Sequence, residues 1–418
     1  MFAAGAIAVG LLLLPAAASA ATPGNWWVDW YGVPAAQSAG ADGAGVKVAV
    51  VDGQIDSALP VFQGADLTVH EPQVCGGEPA ATTEPNAASI HGSDMTALLI
   101  GNGTGTGGVT GIVPKARVTF YGTGIGEFSD QGCTSKIDGV QYSEIGLGIR
   151  QAVADGNRIV SVSLTADSAY PGDVAAIAQA VAAGVVVVTG DSNTPSRPSV
   201  FPARLNGVVT TNAFDQSGDL QKDASGQPIV WHDTTVVGAG AHFASQGDRE
   251  KLSWGGDVTA SGSSNSTALV AGMLAATLQK YPKATGDQLI QSLIHNTTAD
   301  DHALKLEPDS GFGYGPASLA HLLRVDPTRY PDRNPLMQKA GGTGQPTQAD
   351  VDKAKGSSGS TTSTSPAGSG SGSSGGGGAL VPVLVTVGVV LLIAVIAVVV
   401  LVIVVLARRG RPRRGELG

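Results

Sequence analysis

Residues 158–191 read RIVSVSLTADSAYPGDVAAIAQAVAAGVVVVTGD, and their pattern indicates the fold class. Two short runs rich in Val and Ile, at 158–164 and 184–191, flank a helical pattern at 173–184. Apolar runs without strict alternation are typical of strands that are buried on both faces of a parallel sheet. A strand–helix–strand succession therefore predicts an α/β sheet with helices on both faces.

The same alternation continues on both sides of this stretch. We predict one α/β domain over residues 45–335 with a mainly parallel sheet, in which reactive groups gather at the carboxyl ends of the strands. The further strand-like runs are 46–52, 116–122 and 207–214, and the further helical patterns are 94–102 and 143–156.

Charge and cysteine content exclude several classes of protein. The 418 residues carry 34 acidic and 25 basic side chains, a net charge of −9. Five of the arginines lie at 408–414, so the rest of the chain is more acidic still and does not suit nucleic acid as a partner. Two cysteines exclude a multi-cysteine metal site, and HGSD at 91–94 has no second ligand at helical spacing. We expect neither a metal nor a cofactor.

The two ends of the chain predict a membrane protein. Residues 1–20 read as a secretory signal peptide, because a short apolar stretch precedes a small-residue cleavage site ending at Ala20. Residues 383–407 form an unbroken apolar run of 25 residues, which is long enough to cross a bilayer as a helix. The basic tail at 408–418 is expected to stay in the cytoplasm, which places the main domain outside the cell membrane.

Two further segments connect the domain to its surroundings. Residues 21–44 form an N-terminal extension, and residues 336–378 are predicted to be a Gly/Ser-rich flexible linker. Outside the membrane the environment is oxidising, so Cys75 and Cys133 are expected to form a disulfide. The alternative is two separate buried thiols.

Three residues with complementary chemistry follow the predicted elements. Asp52 closes the first strand, His91 opens a helix, and Ser264 opens a long apolar helix. A serine hydroxyl becomes a good nucleophile when an imidazole takes its proton, and a carboxylate orients that imidazole. Taken singly, Asp52 fits a strand-end cap and Ser264 fits a helix N-cap. Together, in the order Asp, His, Ser, they match one known arrangement of a catalytic triad.

The motifs around these residues resemble those of the subtilisin-like serine peptidase family, in particular its mycosin branch, the membrane-anchored proteases of type VII secretion. The matching stretches are Asp52-Gly53-Gln54-Ile55-Asp56, His91-Gly92-Ser93, Gly111-Ile112-Val113-Pro114 and Gly262-Ser263-Ser264-Asn265-Ser266-Thr267-Ala268. The signal peptide, short extension, linker, single span and basic tail resemble the mycosin branch.

The resemblance implies further site residues. Asn193 aligns with the asparagine whose amide stabilises the oxyanion, although a small slip in alignment would place Asp191 there instead. The backbone N–H of Ser264 would be the second donor. Ser163 and Leu164 match the segment that pairs with the substrate backbone and lines the first specificity pocket.

The implied activity is that of an extracytoplasmic serine endopeptidase acting on protein or peptide substrates, anchored in the cell membrane by a single helix and associated with a type VII secretion complex. Ser264 would attack the carbonyl carbon, His91 would carry the proton and Asp52 would orient His91. The alternative is a weakly active or inactive scaffold of a secretion complex. It rests on departures from the family motifs at Gly53, Gln54, Ser263, Ala239 and Ala268.

Overall fold

The computed structural model describes residues 24–124 and 133–358. Their central feature is a parallel sheet of seven strands in the order β2-β3-β1-β6-β7-β8-β9. The strands are β1 Lys47–Asp52, β2 Leu67–His70, β3 Arg117–Gly122, β6 Ile159–Val162, β7 Val186–Gly190, β8 Val209–Phe214 and β9 Val236–Ala239. All five predicted strands are present, and β2 and β9 at the two edges are additional. The order reverses direction between β1 and β6, where ligands bind in open parallel sheets.

Helices cover both faces of the sheet. Helices α3 and α6 pack on one face, and α4 and α5 pack on the other. The helices are α1 Trp26–Trp30, α2 Val33–Ser38, α3 Ala87–Ile100, α4 Glu144–Ala154, α5 Pro171–Ala182, α6 Ser263–Lys280, α7 Gly286–His295, α8 Leu319–Arg324 and α9 Gln348–Ser358. This is the predicted three-layer α/β arrangement.

The central strand β1 shows why the sequence lacks simple alternation. Val48 and Val50 join the hydrophobic cluster formed with α3 and α6, whereas Ala49 and Val51 join the cluster formed with α4 and α5. Each side chain is therefore apolar whichever face it occupies. The apolar strand ends at Asp52, whose carboxylate is buried at the edge of the sheet.

Within the described part of the chain, three short antiparallel ribbons lie outside the sheet. They pair β4 Thr134–Ile137 with β5 Val140–Ser143, β10 Phe243–Ala244 with β13 Thr259–Ala260, and β11 Gly247–Asp248 with β12 Ser253–Trp254. Just before β4, Cys133 forms a disulfide with Cys75, and their Cα atoms are 5.9 Å apart.

The N-terminal extension packs against the segment that precedes the serine helix. Trp27 is fully buried and stacks on Phe243, with ring centroids 5.8 Å apart. Trp26 donates from Nε1 to the carbonyl of Ala241 at 2.9 Å and meets Phe243 edge to face. The aromatic residues of α1 thus fix the extension onto the domain.

The predicted start of the linker at residue 336 is wrong. Leu336 is buried in the main hydrophobic cluster, and α9 packs on α5 with Val351 almost fully buried. Lys339 donates from Nζ to the carbonyls of Ala203 and Val208. The mostly polar composition of residues 336–358 does not indicate this packing. The short helix α9 buries mainly one apolar side chain, Val351. The described residues therefore remain folded up to residue 358.

Several sequence predictions lie outside the described residues. These are the signal peptide at 1–20, the linker from 359 to 378, the apolar run at 383–407 and the basic tail at 408–418. Within residues 24–124 and 133–358, none of the helices has the length and apolar character that crossing a bilayer requires.

Candidate active site

Asp52 and His91 lie in direct contact at the carboxyl end of β1. His91 Nδ1 is 2.8 Å from Asp52 Oδ1, and both side chains are almost fully buried. The backbone N–H of Gly53 also donates to Asp52 Oδ1 at 2.8 Å. Because an ionised carboxylate only accepts hydrogen bonds, the proton of the imidazole is on Nδ1 and Nε2 is left as an acceptor.

His91 lies in the second turn of α3 and does not open the helix as predicted. The helix begins at Ala87 and is capped by Asn86, whose side chain accepts from the N–H of Ser89, while Ser89 Oγ accepts from the N–H of Asn86. This reciprocal capping starts the helix about two turns before the helical pattern predicted at 94–102.

Two glycines allow α3 to approach β1 closely enough for that contact. A Cβ at Gly92 would lie 2.2 Å from the carbonyl oxygen of Gln54, and a Cβ at Gly53 would lie 2.7 Å from the Cβ of Ala88. Neither distance is possible without moving the backbone. Gly53 departs from the family motif, and here the close packing of Ala88 accounts for it.

Ser264 is in the first turn of α6, at the edge of a cleft that His91 and Asn193 also line. Its Oγ donates to the carbonyl oxygen of Ser163 at 3.3 Å, and Ser163 Oγ donates to the carbonyl oxygen of Ser264 at 3.2 Å. The rest of α6 is buried under the sheet, so the helix holds Ser264 rigidly while leaving its side chain partly exposed. The first N–H groups of a helix have no intrahelical acceptor, and that of Ser264 is among them.

Asn193 and Asp191 have different surroundings in the structure. Asn193 Oδ1 accepts a hydrogen bond from the backbone N–H of Ser263 at 2.9 Å, which places the amide beside Ser264. Asp191 is buried instead, where its carboxylate accepts from Ser199 Oγ at 2.5 Å and from the N–H of Ser192 at 2.7 Å. The ungapped alignment, with Asn193 next to the serine, therefore agrees with the geometry.

A buried charge cluster lies behind this loop. Burial and the neighbouring Asp233 raise the pKa of Asp191 to about 7. Burial lowers the pKa of Lys339 to about 8, although Asp233 and Asp191 both oppose that shift. Lys339 Nζ also contacts Thr210 Oγ1. No sequence pattern indicates this cluster, because Lys339 falls within the predicted linker.

Ser163 and Leu164 follow β6 and line a groove of about 240 Å³ that also contains Ser264 and Asn193. This is the position in which a bound peptide would lie next to the serine. Glu144, the first residue of α4, lines the same groove, and no sequence motif marks it. An acidic residue after the N-cap Ser143 is ordinary helix chemistry, so the sequence offered no reason to select it.

Asp94 is a second residue that the sequence did not identify. Its carboxylate accepts from Ser245 Oγ at 2.7 Å and from the N–H of Gln246 at 2.6 Å, which connects the histidine helix to the segment before the serine helix. Burial raises the pKa of Asp94 to about 6. An acid three residues after His91, directly before the apolar run at 95–100, was the available signal. Within the described ranges, no three His, Cys, Asp or Glu side chains are grouped closely enough to hold one metal ion.

The chain is similar to known peptidases in sequence. The profile of the subtilase family of peptidases (S8) matches residues 43–315. Alkaline elastase YaB from Bacillus sp. (strain YaB) is 28% identical over 275 residues, which cover 65% of this chain and 65% of that protein. The matched region thus represents slightly less than two thirds of that relative's length.

Solved structures share the fold. Fervidolysin from Fervidobacterium pennivorans, a keratinolytic enzyme related to subtilisin, aligns with a TM-score of 0.56 and 21% identity over 72% of this chain and 45% of that one. MycP1 from the ESX-1 type VII secretion system aligns with a TM-score of 0.53 and 19% identity over 77% of this chain and 91% of that one. The family profile covers well over half of the sequence and includes Asp52, His91 and Ser264. The chain belongs to the subtilase family of serine peptidases.

Proposed function

We propose that this chain is a serine-type endopeptidase that hydrolyses peptide bonds with Asp52, His91 and Ser264 as its triad. The observation that carries the proposal is the buried 2.8 Å contact between His91 Nδ1 and Asp52 Oδ1, in a cleft that Ser264 also lines. Family membership and relatives named as proteases support the same activity.

Each residue then has one role. His91 Nε2, the acceptor nitrogen of this tautomer, takes the proton of Ser264 Oγ as that oxygen attacks the substrate carbonyl, and returns it to the leaving amine. Asp52 holds the ring in this tautomer and stabilises the imidazolium while it exists. Water then repeats the two steps on the acyl-enzyme and releases the second product.

Two donors serve the negative charge that develops on the carbonyl oxygen. They are Asn193 Nδ2, which donates to no protein group among the described residues, and the N–H of Ser264. The Ser263 contact at Asn193 Oδ1 fixes the amide before substrate binds, so no reorganisation is needed during the reaction. Ser163 and Leu164 would align the peptide backbone in the adjoining groove.

The test is hydrolysis of a quenched fluorescent peptide library by the purified full-length chain. Ser264→Ala must abolish hydrolysis. The matched control is Ser261→Ala, because Ser261 is exposed, lines the same cleft and belongs to no proposed step. Equal activity of Ser264→Ala and wild type would overturn the assignment. A folded wild type with no activity on any substrate would favour the alternative scaffold function.

We further propose that the enzyme is anchored in the cell membrane, with residues 24–358 outside and the basic tail in the cytoplasm, and that it acts beside a type VII secretion complex. The support is the predicted signal peptide, the apolar run at 383–407, the arginines that follow it and the fold shared with MycP1. The test is protease added to intact protoplasts that carry a tag on the C-terminus of the chain. The protease should digest the domain and leave the tag intact. A soluble chain, or a tag that is digested first, would contradict this placement.

A further inference from the structure

Glu144 is an acid without a countercharge in the substrate groove. It is half-buried and lines the same groove as Ser264, Ser163 and Leu164. Among the described residues, no Lys, Arg or His forms an ion pair with it, and its carboxylate receives no hydrogen bond from another side chain. Burial, together with the nearby charge of Asp173, raises its pKa.

The other acids near the groove have donors from other residues, and one also has a cation behind it. Asp173 accepts from the N–H and Oγ of Ser143 and from the N–H of Tyr170. Asp191 accepts at Oδ1 from Ser199 and Ser192 and interacts electrostatically with Lys339, while its buried Oδ2 has no hydrogen-bond partner. Among the described acids of this groove, Glu144 has neither a cation nor a donor from another residue, only its own backbone N–H, and a partly desolvated charge of this kind is costly.

The local structure holds Glu144 firmly in place. Its backbone N–H donates to the carbonyl of Cys133 at 3.1 Å, and Cys133 is joined to Cys75. The preceding Ser143 caps α4 by accepting from the N–H of Gly146 at 3.1 Å. These contacts fix the backbone at Glu144, so its side chain extends from a rigid helix end and no backbone ordering is needed when a ligand binds.

We propose that Glu144 determines specificity and that this groove takes a Lys or Arg side chain of the substrate, on the part of the peptide that lies along Ser163 and Leu164. The inference rests on the proposed peptidase activity and adds the substrate class. An ammonium or guanidinium would pair with the carboxylate, and a guanidinium can do so through two parallel hydrogen bonds. The pairing is electrostatic, so the preference weakens as ionic strength rises.

The test compares kcat/KM for fluorogenic peptides that carry Arg, citrulline or Glu at each position before the cleaved bond. The full-length wild type should prefer Arg over citrulline by about tenfold or more at one position, since citrulline keeps the shape of Arg without its charge. Glu144→Gln should remove that preference and leave cleavage of the citrulline peptide within about twofold. Glu144→Lys should favour the Glu peptide. Glu78→Gln, an exposed acid outside the groove, is the matched control.

Labelling of Ser264 distinguishes a failure of the Glu144 assignment from a failure of the proposed peptidase activity. Reactivity of Ser264 with a fluorophosphonate should be unchanged in Glu144→Gln, which shows that the triad is intact and the variant is folded. An Arg preference that survives in Glu144→Gln, or no preference for a cation at any position in an active wild type, would overturn the assignment of Glu144. A wild type that does not react with the fluorophosphonate would instead contradict the proposed peptidase activity.

Discussion

Asn193 Oδ1 accepts a hydrogen bond from the backbone N–H of Ser263 at 2.9 Å, one residue before the nucleophile. The contact connects the loop after β7 to the first turn of α6 and leaves the amide Nδ2 as a donor in the cleft. The amide group is therefore held by the same turn that holds Ser264. The proposed oxyanion donor and the proposed nucleophile are thus held by one short stretch of backbone.

Asn193→Asp removes the Nδ2 donor and keeps the contact with the N–H of Ser263. The aspartate keeps the oxygen that accepts from Ser263 but replaces the Nδ2 donor with a second oxygen. Loss of one oxyanion donor lowers kcat by about 10²- to 10³-fold, or roughly 3–4 kcal/mol, and we expect KM to change little. Steady-state kinetics on a peptide substrate measure this. A kcat within threefold of wild type, in a variant with an unchanged thermal midpoint, would contradict the role of Asn193.

Asp52→Asn tests the contact with His91. An amide in place of the carboxylate can donate to Nδ1 and shift the imidazole proton to Nε2, so that Nε2 no longer accepts from Ser264. We expect kcat to fall by about 10⁴-fold at neutral pH while the domain remains folded. Kinetics beside circular dichroism check both points. If Asp52 were only a strand-end cap, stability would fall and kcat per folded molecule would not.

The buried Asp191 makes stability depend on pH. Its pKa is about 7 in the folded chain against an ordinary 3.8, so the folded state binds more protons between these values. Its stabilising contribution is complete below about pH 4 and is lost as the pH rises through 7, by up to about 1.4 kcal/mol per pH unit. Asp94 contributes in the same direction, but only up to its pKa of about 6.

Between pH 6 and 8, the comparison with Asp191→Asn is therefore informative. We expect the free energy of unfolding of wild type to fall across this interval and that of Asp191→Asn to fall less. Lys339 has a pKa lowered to about 8 and acts with the opposite sign at higher pH, which is why the measurement stops there. Urea unfolding of both proteins at three pH values measures these free energies. Parallel curves for the two proteins would show that Asp191 does not titrate in this range.

Trp27 should contribute more to stability than Trp30 on the same helix. Trp27 is fully buried against Phe243, whereas 49% of Trp30 is exposed. Removing a buried Trp costs about 3–5 kcal/mol, so Trp27→Ala should lower the free energy of unfolding by that amount. Trp30→Ala should cost clearly less. Equal effects in chemical denaturation would mean that α1 does not pack on the domain as described.

The segment after residue 335 is also expected to stabilise the domain. A chain truncated after Pro335 loses the buried Leu336, the hydrogen bonds of Lys339 Nζ to the carbonyls of Ala203 and Val208, and α9. Loss of a buried Leu side chain alone costs about 2–5 kcal/mol. A chain truncated after Ser358 should retain the stability of the whole domain. Equal unfolding midpoints for the two truncated chains would restore residue 336 as the start of the linker.

The sequence predicted what depends on local pattern. Buried strands such as β1 and the placement of Asp52 and Ser264 at element ends follow from runs of apolar residues and the polar groups that interrupt them. The role of Asn193 required an alignment, because nothing in its own neighbourhood distinguishes it from Asp191. Lys339 and Glu144 could not be found this way. Their importance arises from long-range packing, which brings distant segments against the loops around the serine.

The catalytic triad is tested most directly by covalent labelling of the full-length chain with a fluorophosphonate. Mass spectrometry then maps the modified residue. Only an activated serine reacts readily, because the hydroxyl must lose its proton to a neighbouring base. We predict a single modification on Ser264 that is absent in Ser264→Ala and unaffected in Ser261→Ala. Labelling that persists in Ser264→Ala, or that maps to another serine, would contradict the triad of Asp52, His91 and Ser264.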